Sequence, residues 1–393
     1  MRRVLVVLSA LLVLVLSAHG AATAAPRAGG VTHRNVAVCG IAPAGGAGCD
    51  AIRHDLLDPS GKLISIGRLA AAAPAGYGPA DIRSAYSLTS SAAGGRTVAI
   101  VDAYHDPNAA ADLATYRSRY GLPACTSASG CFRTVDQSGG TTYPTANGGW
   151  AQEISLDLDM VSAACPDCKI LLVEAKTSSF ANLGTAVNTA ARLGAVAISN
   201  SYGGSDTSAT SAYNHPGIAV TASTGDSGYG VQSPASYGTV VAVGGTSLTR
   251  NSSSRGWGET AWSGAGSGCS TLNAEPTWQT SVTRCSGKAD ADVSAVADPN
   301  TGVAVYDSYA YQGAKGWMVF GGTSASSPII ASVYAMSGNT SGYPASYTWA
   351  HSSSLNDVLS GSNGTCSTTI WCKAATGWDG PTGLGTPRGT GGF

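Results

Sequence analysis

Gly322-Thr323-Ser324-Ala325-Ser326-Ser327-Pro328 puts a serine where a nucleophile could work. The stretch follows an apolar run, Trp317–Phe320, and precedes a helical pattern, Ile329–Met336. A strand that ends in a Gly-rich turn exposes the hydroxyl, and the free N–H groups of a helix start can receive an oxyanion. Pro328 suits a first helical turn, where no N–H is required. The same serine could serve as a plain N-cap. As a nucleophile it would need a base. The six histidines are His19, His33, His54, His105, His215 and His351. His105 follows the run Val98–Val101, but Asp106-Pro107 behind it gives it a turn context.

Carboxylates are the other source of a base. Trp150 to Ala164 reads as a helix, and Glu153 and Asp157 stand on it at i and i+4, on one face. Such a pair is either a solvated surface or a reactive pair, since like charges at this spacing repel. A third acid, Asp226, lies in Ser223-Thr224-Gly225-Asp226-Ser227-Gly228, at the end of the run Gly217–Ala222. It is a turn former or a site acid. Chemistry built on these groups belongs in acid. A carboxylate of ordinary pKa, about 4, is a competent base only there, and a carboxylic acid can donate a hydrogen bond only while neutral.

The positioning elements follow from hydrophobic patterning. Apolar, β-branched runs occur at Val98–Val101, Ile170–Val173, Ala195–Ile198, Ile218–Ala222, Val240–Val243, Val303–Val305 and Met318–Phe320. Helical patterns such as Asn108–Tyr120 and Phe180–Leu193 lie between several of them. The alternation predicts an α/β fold, a mostly parallel sheet with helices on both faces and sites beyond the carboxyl ends of its strands. Asp102, Asp226 and Ser324 fall at such ends. We expect a single catalytic domain over 76–393, preceded by a signal peptide (1–24) and a short leader or reduced prosegment (25–75).

Arg2-Arg3 before the apolar run Val4–Leu16, with small residues at Ala22-Thr23-Ala24, predicts export and a secreted, extracellular protein. Only 11% of residues are charged and net charge is −1, which gives no reason to expect nucleic acid or, once the signal is removed, a membrane partner. Few carboxylates also means few groups whose protonation would unfold the chain in acid. The ten cysteines suit an oxidising compartment and fall in close pairs: 39 and 49, 125 and 131, 165 and 168, 269 and 285, 366 and 372. Five local disulfides are the simplest reading. Asn251, Asn339 and Asn363 match the glycan acceptor pattern.

Together the Glu153-x-x-Leu156-Asp157 helix, the Ser223–Gly228 turn and Gly322-Thr323-Ser324-x-x-x-Pro328 resemble the sedolisins, the serine-carboxyl peptidases. Ile198–Gly203, Val243–Leu248, Asp292–Ala297 and Gly377–Gly385 add to the resemblance, which runs from about Gly76 to Pro387. It implies a subtilisin-like fold and hydrolysis of peptide bonds in protein or peptide substrates by a monomer. Ser324 would be the nucleophile, Glu153 its general base, Asp157 the residue that orients Glu153, and protonated Asp226 an oxyanion donor, with Asp102 in support. It also implies a calcium site made by Asp357 and Asp379 side chains and the carbonyls of Val358, Ala375 and Gly377. Sedolisins usually carry a long folded pro-domain, whereas here only about 50 residues precede the family-like entry at Gly76. The leader is then a reduced prosegment, cut between about Ile66 and Gly76, or a permanent extension stapled by Cys39 and Cys49. A His-dependent subtilisin-like protease and a non-catalytic binding homologue are the alternatives.

Overall fold

The computed structural model describes residues 31–64, 75–89, 94–339 and 342–393. The expected signal peptide, and most of the expected cleavage stretch of the leader, lie outside the described residues.

The central sheet has eight strands. Seven run in the order 257–261, 241–250, 219–223, 197–200, 97–103, 169–175 and 132–136, and the eighth, 293–296, pairs beside 241–250. Every pairing is parallel except that of Trp257–Ala261 with Val241–Arg250. Strands 197–200 and 219–223 are buried along their whole length, and 97–103 and 169–175 everywhere but their first residue. That requires cover on both faces and explains why these runs carry no polar alternation. Helices Gly148–Ala164 and Thr323–Ser337 pack against each other, while Phe180–Arg192 packs on strands 97–103 and 169–175.

Two of the expected runs go elsewhere. Val303–Tyr311 and Ala314–Gly321 form an antiparallel hairpin in a separate four-stranded sheet. The other two strands come from the segment expected to be a leader: Ile52–Leu57 pairs with Ala314–Gly321, and Thr32–Ala37 with Ile52–Leu57. Arg53 fixes this attachment. It is 1% exposed, pairs through two nitrogens with Asp55, and donates to Gln152 Oε1 at 2.9 Å. A buried guanidinium is tolerable only when paired and hydrogen-bonded in this way.

All five expected disulfides are present. Cys165–Cys168 closes the loop after the Glu153 helix. Asn363 is buried, and its amide nitrogen donates to Ala265 O and Ser267 Oγ, so it offers no glycan acceptor in the folded chain.

Candidate active site

Two buried helices bring the reactive groups together. Gly148–Ala164 starts at Asn147, whose side chain accepts from the N–H groups of Gly149 and Trp150. From Gly149 to Ala164 every residue is buried, so the face carrying Glu153 and Asp157 points into protein and not into water. Thr323–Ser337 starts immediately after Gly322, whose φ of 94° lies in the glycine region. A Cβ there would stand 2.0 Å from Asp50 O and 2.5 Å from Asp226 Oδ2, so no other residue fits. Ile329, Ile330 and Val333 anchor the helix with no exposed surface, each contributing roughly 1.5–3 kcal/mol.

Pro328 is not in the first turn of this helix. It is the sixth residue, and its missing N–H leaves the Ser324 carbonyl without an i+4 donor. Ser201 Oγ stands 3.3 Å from that carbonyl and donates to Asp157 Oδ1 at 2.8 Å, with one proton to divide between them.

The Ser324 hydroxyl donates toward Glu153 Oε2 at 2.9 Å and lies 3.1 Å from Ser201 O. Burial, reinforced by the charges of Asp157 and Asp102, pushes the Glu153 carboxyl well above the usual range. Burial does the same to Asp157, with Asp102 adding to it and hydrogen bonds from Ser201 and Glu153 opposing it. Glu153 Oε1 and Asp157 Oδ2 have no other hydrogen-bond partner, which suits one proton held between them. Asp102, at the end of strand 97–103, is fully buried with both oxygens unpartnered, and burial raises it strongly.

Asp226 lies on the other side of the turn. Its Oδ1 accepts from Thr323 N at 2.7 Å and Thr323 Oγ1 at 2.9 Å. Its Oδ2 is enclosed without a partner. Burial, then the charge of Asp50, raises the carboxyl well above its ordinary value against these two bonds. Among the described residues no cation figures in the influences on Asp50, Asp102, Glu153, Asp157 or Asp226. Such a cluster holds protons, and it stands ready to donate them.

The subtilase family profile matches residues 137–365, more than half of the chain. Kumamolisin of Bacillus sp. (strain MN-32) is 30% identical over 369 residues, covering 82% of this chain and 64% of that protein. The chain belongs to the subtilase family, and within it to the sedolisins. Sedolisin of Pseudomonas sp. (strain 101) is 34% identical over 177 residues, 40% of this chain and 29% of that one. In structure, Pseudomonas sedolisin, a serine-carboxyl proteinase complexed with pseudo-iodotyrostatin, superposes with a TM-score of 0.65 at 25% identity, covering 81% of this chain and 96% of that one. The chain thus spans under two thirds of the length of the curated sedolisins it matches.

As in the sequence reading of this sedolisin, Glu153, Asp157, Asp226 and Ser324 converge, with Asp102 behind them. His105 does not join them. Its Nδ1 is 2.6 Å from Glu174 Oε2 and its ring stacks on Tyr143. Two participants escaped the sequence reading. Ser201 lies within Ile198–Gly203, but nothing in its neighbours signals a bond to Asp157. Asp50 sits in the leader, and only its position after a paired cysteine could have drawn notice.

The carboxyl-terminal loop gathers the expected calcium residues. The Asp357 carboxylate accepts from Gly377 N at 2.8 Å, and Asp379 accepts from Ala375 N at 3.0 Å. Asp379 is buried and raised to about 7, first by burial, with the Asp357 charge adding to it. Two carboxylates held against one loop repel each other unless a cation or a proton intervenes. Hard oxygen donors of mixed kind suit calcium, so the residues fit the ion.

Proposed function

We propose that the protein is a secreted peptidase acting in acid, with Ser324 as nucleophile. The observation that carries this reading is the 2.9 Å contact of Ser324 Oγ with Glu153 in a site where a carboxyl stands in the place of histidine. Ser324 Oγ attacks the substrate carbonyl as Glu153 takes its proton. Asp157, held by Ser201, keeps the Glu153 carboxyl in position, and Asp102 behind the pair, neutral in acid, places no opposing charge on it. The negative oxygen that forms is received by the Ser324 N–H and by protonated Asp226. Glu153 then returns the proton to the leaving amine, leaving an ester on Ser324. Water attacks that ester with Glu153 again as base, and the acid product departs.

The requirements oppose one another. Glu153 must have lost its proton while Asp226 keeps its own, so activity forms a bell whose alkaline side is the ionisation of Asp226. Calcium would be held by Asp357, Asp379 and the carbonyls of Val358, Ala375 and Gly377. When bound, it supplies charge neutralisation that fastens the carboxyl-terminal loop.

The test is digestion of an acid-denatured protein at about pH 4 and about pH 7.5, on either side of the ordinary histidine pKa. Wild type should cut at the lower pH and Ser324→Ala should not. A neutral optimum, or cutting that survives Ser324→Ala, refutes the reading.

A further inference from the structure

Residues 38–51 connect the two leader strands and are closed by Cys39–Cys49. The carboxyl-terminal arm of this tongue, just before Ile52, enters the cleft. Gly48 and Cys49 pair antiparallel with Gly203 and Tyr202, and Asp50 N donates to Ser201 O at 3.2 Å. Ser201 O is the same oxygen that faces the Ser324 hydroxyl. The carbonyl of Asp50 accepts from Ser324 N at 3.1 Å, the helix-start amide on which an oxyanion would rest. Its side chain fills a pocket, where Oδ2 accepts from Ser223 Oγ at 2.7 Å and from Gln232 Nε2 at 3.0 Å. Asp50 is 9% exposed.

A strand added to a sheet edge, a carbonyl on the oxyanion amide and a side chain in a closed pocket are three separate features of a bound peptide substrate. A connection serving only to join two strands has no need of any of them. The pocket presents donors at a buried position, and a donor left unpaired there is costly, so it selects for an acceptor. Burial raises Asp50 to about 6, so in acid it sits there as a neutral group of the same shape as asparagine.

We propose that the tongue lies in the cleft as the acyl half of a substrate would, with Asp50 as the residue whose carbonyl faces Ser324. The pocket of Ser223 and Gln232 then selects aspartate or asparagine before the scissile bond, and the tongue competes with such substrates for the cleft. This rests on the peptidase reading above and names its substrate class.

The experiment uses full-length protein at about pH 4, just above the ordinary aspartate pKa. Internally quenched peptides differ only in the residue before the scissile bond: Asp, Asn, Ala or Phe. Asp and Asn peptides should exceed Ala and Phe in kcat/KM by on the order of tenfold or more, the worth of a satisfied buried acceptor. Gln232→Leu should remove that ranking. Asp50→Leu, which leaves both donors facing an apolar side chain, should lower KM about tenfold, because the competent fraction of the cleft rises. Asp50→Asn should keep the wild-type KM. Equal cutting of the Ala or Phe peptide, or a ranking that survives Gln232→Leu, overturns the pocket. An Asp50→Leu KM equal to wild type overturns the competition. If instead no peptide is cut and Ser324→Ala matches wild type, the peptidase reading itself falls and takes this one with it.

Discussion

Asp226→Asn separates the two duties of that carboxyl. Oδ1 accepts two hydrogen bonds from Thr323, and an amide oxygen can keep both. Oδ2 is the atom with no partner, and the amide nitrogen would take its place. The substitution therefore retains a donor at the oxyanion position at every pH. Losing one oxyanion donor outright costs about 10²–10³ in kcat. A donor kept in imperfect geometry should cost at most about 10², whereas Asp226→Ala, which also strands both Thr323 donors, should reach the upper end of that range. The pH profile is the sharper readout. In the wild type the alkaline fall should report Asp226 losing its proton, which burial holds on to above the ordinary carboxyl range. The asparagine variant has no such proton, so its alkaline limb should shift or flatten while the acid limb, set by the Glu153–Asp157 pair, stays. The assay is kcat/KM on one quenched peptide in half-unit steps from about pH 2.5 to 7.5, spanning the free carboxyl and histidine ranges. Superimposable profiles would refute the assignment, as would an asparagine variant with wild-type rate and an unmoved limb.

Glu153→Gln should abolish turnover, because an amide cannot take the Ser324 proton, and circular dichroism should show an unchanged fold. Ser201→Ala should reduce kcat more than KM and lower the melting temperature, since Asp157 Oδ1, a buried acceptor, is left without its donor at a cost of about 1–3 kcal/mol. Stability should be higher at pH 4 than at pH 8 in calorimetry. Burial raises Asp106 to about 7 and Glu174 and Asp307 to about 8, so the folded chain binds protons that the unfolded chain releases. The stability from these groups is complete below the unfolded pKa near 4 and is lost as pH climbs through 7 to 8; a melting temperature that rises over that span contradicts it. Chelation should lower the melting temperature, and added calcium should restore it; no change in either direction removes calcium from the Asp357–Asp379 loop.

The four residues that the fold brings together in the candidate site are legible because each sits at a punctuated position: a Gly-rich turn, a Gly-Asp-Ser-Gly turn, an i, i+4 acid pair on an apolar helix. The strands at 97–103, 169–175 and 219–223 were equally legible as unbroken apolar runs. Periodicity carries no direction, however, and so Val303–Val305 and Met318–Phe320 read like the rest although they form an antiparallel hairpin. The strand Phe132–Asp136 was not singled out, because Arg133 and Thr134 interrupt its apolar character. The leader strands were missed for a related reason: Thr32–Ala37 is almost wholly exposed and carries no core signal. Asp50 is silent in the sequence because its meaning lies in what its backbone touches.

The seating of Ile52–Leu57 beside Ala314–Gly321 makes cutting and release separate events. A break in the chain between residues 64 and 75 would leave the leader held by its sheet pairing and by Arg53 on Gln152. Losing it would uncover unpaired peptide groups at Phe320 and Gly321, a short sheet edge open to self-association. A cut molecule would therefore migrate as two polypeptides under denaturing conditions and as one particle in native mass spectrometry. Sequencing it would return two amino termini from a single active species.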